Sequence, residues 1–438
     1  MSHSAVPLLL GAALLLLAGA AVAKAEPLAD VLGRVYLTNP RLEAGRAALR
    51  AVDESVPRAL AAGRPHVTST SSAAFNAAGD ALPAARQALN VTQSLYSGGE
   101  TRAATRRAED AVRAERARLT QLEQEVLLEA VAAYTGVARD QAVLELARRN
   151  EERLGVQLDA TRDRERFGDV TRTDIFQAES RLVRTTAERV AAEGSLQAAS
   201  AEYRRVVGEW PTRPELPPTP DGPPVSLDEA LAMAEGSWRW QAASLDLAVA
   251  RGDVAVALAA LKPRLTLGGE ISYADDSGPY RDAGANAAIG ATLAVPLYQG
   301  GGEHARVRQT KELLTQRRYG LDDAQRAVEA EITSAWEAHR TAEAAIRSIH
   351  QQVDTAAFAL DGVRQEALIG ARAVLDVLDA EQELFAAEVD LAAYRLRAAV
   401  GRLTARDLGL PVTYHAPEEH YRDVNARWFG LGPKMGAE

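Results

Sequence analysis

The chain has 438 residues, 5% aromatic and 25% charged side chains, and a formal net charge of −10. It contains no cysteine, which excludes disulfides, thiolate metal sites, a cysteine nucleophile and an N-terminal lipoprotein cysteine. The acidic balance and the lack of any long Lys/Arg block give no global attraction for nucleic acid, and the Ala/Arg/Glu/Leu-rich tracts fit extended helices better than thick cores.

The first element is an unbroken apolar run, Ala5–Ala23, followed by Lys24-Ala25-Glu26-Pro27. Its small-x-small end predicts a cleaved signal peptide over residues 1–25; an uncleaved membrane anchor is the alternative, since the run is long enough to span. No later segment is apolar for long enough to be a transmembrane helix. Any relation to a membrane must therefore come from something other than helices.

The rest is a tandem duplication. "LYSGG", with Tyr96, Gly98 and Gly99, returns 202 residues later as "LYQGG", with Tyr298, Gly300 and Gly301. The same offset aligns Tyr134 with Trp336, Gly168 with Gly370, Asp174 with Asp376, and Glu179 with Glu381. The first repeat is expected over residues 26–208 and the second over 226–410. Between them a 209–225 linker carries seven prolines in the fourteen residues Pro211–Pro224, an extended connector. A tail follows over 411–438.

Each repeat reads as a helix, two strands and two long helices. The strands are expected over Pro65–Phe75 and Arg86–Tyr96, then over Arg264–Tyr273 and Ala287–Tyr298. Alternation is clean in the second pair, where Leu265, Leu267, Ile271 and Tyr273 share one face, as do Ile289, Leu293, Val295 and Leu297. The first pair is more polar. Strands of about ten residues match an outer-membrane-type barrel, with Phe75 and Tyr273 at one end and Tyr96 and Tyr298 at the other as interfacial aromatics. An ordinary antiparallel sheet with one solvated face reads equally well from the strands alone. Four strands cannot close a barrel, so a membrane-spanning sheet requires several chains.

After each Tyr-x-Gly-Gly junction a long helix begins. The first, from Glu100 to about Glu165, would be roughly 100 Å long at about 1.5 Å per residue. From Ile332 to Gly370 apolar residues recur in steps of three and four, with His339 the one polar exception; the first repeat keeps this with lapses at Asp140 and Glu151. Such a period predicts left-handed supercoiled packing. Gly168 and Gly370 end these helices, and Thr171 or Thr173 restarts the first, so each repeat is a helical hairpin with a turn at its tip and strands at the other end.

The duplicated junction, the paired tips and "VLDVLDAEQEL" (Val374–Leu384) resemble the TolC family of outer-membrane channels, over essentially the whole mature chain. The tail Leu403–Gly430 resembles members associated with type I secretion. The resemblance implies an α+β membrane protein: a long α-helical coiled-coil barrel, plus four transmembrane β-strands per chain in a shared 12-stranded β-barrel of a homotrimer. It implies an exit duct in outer-membrane lipid that reaches into the periplasm of a Gram-negative bacterium. Its partners would be a periplasmic adaptor (membrane fusion protein) and an inner-membrane ABC or RND-type pump. Asp376 and Asp379 match the aspartates that constrict the entrance. Arg372 matches a position that ties closed tips together, with Thr173 and Asp174 as its partners on a neighbouring chain; the family's nearby tyrosine is replaced here by Ala367. Gly168 and Gly370 fall at the adaptor-docking tips.

Remaining motifs favour plainer readings. "GGGEH" (Gly300–His304) lacks the Lys-Ser/Thr ending of a phosphate loop, and its repeat partner "SGGE" marks it as a turn. His415 and His420 are a solvated tail before they are a metal site. No nucleophile elbow or HExxH motif is present, so no enzyme activity, cofactor or nucleic-acid partner is expected. A periplasmic coiled-coil adaptor or scaffold is the alternative function; it explains the helices but not the duplicated strand-to-helix junction.

Overall fold

The computed structural model describes residues 26–74, 84–212, 226–276 and 284–407. The signal peptide, Phe75, most of the proline-rich linker and the tail with His415 and His420 lie outside the described residues. Two compact units form, and they cut across the duplication: each takes part of both repeats.

One unit is built from the described parts of Arg41–Gln124 and Pro224–Ser334. It holds the sheet β1 (His66–Ala74), β2 (Ala84–Tyr96), β3 (Arg264–Asp276) and β4 (Gly284–Ala294), antiparallel in sequence order, with β1 and β4 at the edges. The second-repeat strand stops at Ala294, short of the expected Tyr298. Pro296 follows two residues on and cannot donate to a ladder.

Register sorts the side chains into two faces, because directly paired residues share a face. Val67 pairs with Val91, Leu89 with Ile271, Gln87 with Tyr273, and Leu265 with Leu293. Val67, Leu89, Val91, Ile271, Tyr273, Ile289 and Leu293 are therefore on one face, and all are solvent-exposed in the single chain. The polar-looking first pair of strands thus contributes to the same apolar face as the second. On the other face are Thr68, Thr70, Asn90, Thr92, Thr266, Gly268, Ser272 and Gly290, with an Arg86–Glu270 ion pair at 2.5 Å. A bulge between Ser94 and Tyr96 shifts the phase by one residue and opposes Tyr96 to Leu265, on the apolar face.

The strands lead into α4 (Glu100–Arg166) and α8 (Gly302–Leu368), each of 67 residues. Gly98, Gly99, Gly300 and Gly301 all have left-handed φ, between +64° and +88°. At Gly98 a second constraint applies, since a Cβ would come within 2.7 Å of both the Ala259 carbonyl and the Lys262 side chain. Only glycine satisfies both. Short helices α2 (Pro40–Asp53), α3 (Ser55–Ala61), α6 (Leu227–Ala232) and α7 (Trp238–Ala259) complete this unit, apart from Pro40, with Val328 and Ile332 of α8 buried against Ala230 and Ala234.

The other unit comprises the described parts of Met1–Pro40, Glu125–Pro223 and Ala335–Ala405. It contains α1 (Leu28–Thr38), the later stretches of α4 and α8, α5 (Arg172–Val207) and most of α9 (Val374–Asp407). The expected seam is inward-facing. Ala342, Ala356, Leu360 and Ala367 are buried on α8, as are Val137, Leu144, Ala147, Leu154 and Leu158 on α4. The polar lapses find partners: Asp140 takes Arg139 at 2.6 Å, Glu151 takes Arg189 at 2.6 Å and the Thr186 hydroxyl at 2.7 Å, and the buried His339 lies 3.5 Å from Glu343. Glu26 is held at the start. Its carbonyl accepts from the Tyr134 hydroxyl at 2.7 Å, and its carboxylate from Thr212 at 3.0 Å and Tyr203 at 3.4 Å. Burial, with the Glu26 charge beside it, pushes the Tyr203 phenol well above its ordinary pKa.

Candidate functional site

The candidate site is the pair of helix tips in the second unit. Gly168 (φ +81°) and Gly370 (φ +76°) end α4 and α8 in the left-handed conformation, as a C-terminal cap requires. Of the two threonines that could restart the first hairpin, Thr171 is the cap: the Asp174 carboxylate accepts from the Thr171 backbone N–H at 2.7 Å and from its hydroxyl at 2.8 Å. Thr173 falls inside the first turn of α5. Phe167 and Ile369, one residue before each glycine, are largely exposed.

The hairpins are joined by a small core in which Leu154, Leu158, Ala178, Val374 and Leu378 pack together, so α9 starts against α4 and α5. The Arg164 guanidinium also donates to the Ala367 carbonyl at 3.5 Å. With Val374, Val377 and Leu378 buried, the neighbouring Asp376 and Asp379 are left partly and largely exposed in the first two turns of α9. Neither carboxylate stands alone. Asp379 pairs with Arg181 of α5, and Asp376 lies 3.8 Å from Arg372. Arg372 in turn binds Glu366 at 2.7 Å, and that hydrogen bond, with the Glu366 and Asp376 charges, raises its pKa above the ordinary value. Within one chain Arg372 is thus engaged with Glu366, while Asp174 is used in its cap.

A duplicated ion pair also lies at the tips. Arg364 binds Glu381 at 2.7 Å, and 202 residues earlier Arg162 binds Glu179 at the same 2.7 Å. Both pairs bridge the two arms of a hairpin with a separation of 17 residues. The environments differ: the Glu179 side chain is 41% exposed, whereas that of Glu381 is 2% exposed and its second oxygen is buried without a partner. The repeat offset that aligned the glutamates would have exposed the arginines too. Arg181 has no such signal, because its repeat counterpart is Glu383.

Among the described residues no group of three or more His, Asp or Glu side chains could hold a metal ion, and no helix is long and apolar enough to cross a membrane. The family model described as "Outer membrane efflux protein" matches residues 31–209 and 235–404. The chain is 35% identical over 435 residues to the outer membrane efflux protein BepC of Brucella suis, covering 93% of this chain and 92% of that protein. It is 30% identical over 308 residues to the alkaline protease secretion protein AprF of Pseudomonas aeruginosa, covering 66% and 63%. Its fold matches the outer membrane protein VceC of Vibrio cholerae with a TM-score of 0.77 at 20% identity, over 87% of this chain and 95% of that one.

Proposed function

The chain belongs to the outer membrane efflux protein family and is an outer-membrane channel protein of a Gram-negative bacterium; on that premise we propose that it is the passive exit duct of a tripartite export system, gated at its helix tips. The observation that carries this reading is the exposed apolar face of a four-stranded sheet with two open edges. In hydrocarbon an unpaired strand edge is not tolerated, so the sheet must close with others. Three copies give a 12-stranded barrel, with the apolar face toward lipid and the small polar face toward the lumen. A soluble scaffold would have no use for that apolar face.

The long helices then form the tube below the membrane. Asp376 and Asp379 line its entrance, where three chains gather six carboxylates around one axis and draw in cations. Arg181 and Arg372 moderate that charge within each chain. In the closed state Arg372 exchanges Glu366 for Asp174 and Thr173 of a neighbouring chain, a charge-assisted link. A periplasmic adaptor docks on the turns at Gly168 and Gly370, where Phe167 and Ile369 offer exposed apolar contact. An inner-membrane ABC or RND-type pump supplies the energy, which is why the duct needs no catalytic group. The cargo is set by the pump. The likeness to one efflux protein and one protease-secretion protein favours small molecules and secreted protein alike.

The tip link is testable because the chain has no cysteine of its own. The Asp174→Cys/Arg372→Cys variant should give reducible, covalently linked oligomers on oxidation in outer membranes. Only monomers, or a purely intrachain bridge, would remove the proposed tether.

A further inference from the structure

A basic belt surrounds the end of the sheet from which the helices leave, and no single stretch of sequence displays it. Strand pairing sets His66 opposite Thr92, Tyr96 opposite Leu265 and Arg264 opposite Ala294, so the starts of β1 and β3 and the ends of β2 and β4 lie together. The segments that flank this end are 58–66, 100–107, 262–264 and 302–311. They carry ten Lys or Arg and two Glu, a net +8, in a chain whose total is −10.

Two of the ten are neutralised: Arg264 binds Glu100 at 2.8 Å and Arg107 pairs with Asp253. The other eight have no acidic partner among the described residues. Arg58 and Arg64 precede β1, Lys262 precedes β3, Arg102 and Arg106 open α4, and Arg306, Arg308 and Lys311 open α8; all are exposed. Glu54, Glu109 and Glu312 lie just outside these segments, further along the chain from the strands. Immediately beside the belt the apolar face ends in aromatic and aliphatic side chains, with Tyr96, Leu297 and Tyr298 all exposed.

Eight exposed cations without acidic partners, gathered at one end of the sheet, create a local positive potential that attracts anions. We propose that the belt binds the phosphate headgroups of anionic phospholipid in the periplasmic leaflet of the outer membrane. This rests on the reading of the sheet as the membrane-spanning part with the helices on the periplasmic side. Headgroup phosphates then face Arg102 and Arg106 in the first two turns of α4 and Arg306, Arg308 and Lys311 in the first three turns of α8, while Tyr96 and Tyr298 mark the boundary of the hydrocarbon. The attraction is electrostatic, so it must weaken as salt shortens the screening length. Its consequence is vertical positioning: the belt fixes how deep the sheet sits in the membrane.

The test is lipid selectivity of the full-length protein in phosphatidylcholine bilayers, read by electron spin resonance of spin-labelled phosphatidylglycerol and spin-labelled phosphatidylcholine. Wild type should restrict phosphatidylglycerol over phosphatidylcholine by at least about threefold, given the pull of each juxtamembrane cation on anionic lipid. The Arg102→Gln/Arg106→Gln/Arg308→Gln/Lys311→Gln variant should bring that ratio close to one, as should molar salt on wild type without any mutation. Equal restriction of the two lipids by wild type, or a preference unmoved by both the variant and salt, overturns the proposal. So does a variant that alters only the ion selectivity of the pore, which would put these charges in the lumen. If no lipid of either kind is restricted, the membrane reading itself fails, a result distinct from loss of selectivity.

Discussion

Replacing Arg364 by alanine leaves the Glu381 carboxylate inside α8/α9 without its cation. Glu381 is 2% exposed and its other oxygen is already unpartnered, so the bond at 2.7 Å is its described stabilising contact. Stripping a fully buried ion pair of one member costs about 3–5 kcal/mol. Arg364 is 43% exposed, and solvent therefore screens part of the interaction, which lowers the expectation to about 2–3 kcal/mol. The duplication supplies an internal control. Arg162 binds Glu179 at the same distance and separation, but both side chains are more than 40% exposed, and Arg162→Ala should change little. Amide hydrogen exchange of the hairpins reads both effects locally. Opening of residues 360–385 should become roughly 30- to 140-fold more frequent in Arg364→Ala, since 1.4 kcal/mol is about tenfold, while residues 158–183 stay as in wild type after Arg162→Ala. Replacing Glu381 by Met as well should recover most of the loss. Equal effects at the two sites would show that the pair itself, not its burial, sets the cost.

At the strand-to-helix junctions, Gly98→Ala should abolish assembly of a heat-resistant oligomer on gels, because the new Cβ collides with the Ala259 carbonyl and Lys262 as well as meeting φ +67°. Gly99→Ala, with open space around it, should cost only the left-handed strain of about 1–2 kcal/mol and still assemble. Arg181→Gln removes the partner of Asp379 and should tighten block of the pore by a divalent cation, measured by titration across a planar bilayer; unchanged block would place Asp379 away from the ion path. Asp174→Ala removes the acceptor from the Thr171 cap and should destabilise the first turn of α5 by about 0.5–2 kcal/mol, visible as faster amide exchange at residues 172–176.

The features most legible in the sequence were those that repeat. The glycines at 98, 99, 300 and 301 could be read because left-handed backbone leaves few alternatives, and the α8 seam because its period is sustained over many turns. Alternation misleads at the end of β4: Val295 and Leu297 continue the pattern of Ile289 and Leu293, yet the ladder stops at Ala294 ahead of Pro296. The polarity of β1 and β2 hid their apolar face until pairing set Leu89 beside Ile271. Ion pairs between distant segments, such as Arg181 with Asp379, depend on how α5 and α9 turn toward each other. Local patterning carries no information about that rotation. The basic belt was hidden for the same reason, since its charges come from four separate segments.

The most direct test of the duct reading is single-channel conductance of the purified protein in a planar bilayer, comparing wild type with Asp376→Ala/Asp379→Ala, with and without a divalent cation on the periplasmic side. An acidic constriction at Asp376 and Asp379 should give a small wild-type conductance that the cation blocks, and a variant that conducts but is no longer blocked. Pores whose block is untouched by the substitutions would move the constriction away from these aspartates, and the absence of any pore would contradict the channel itself.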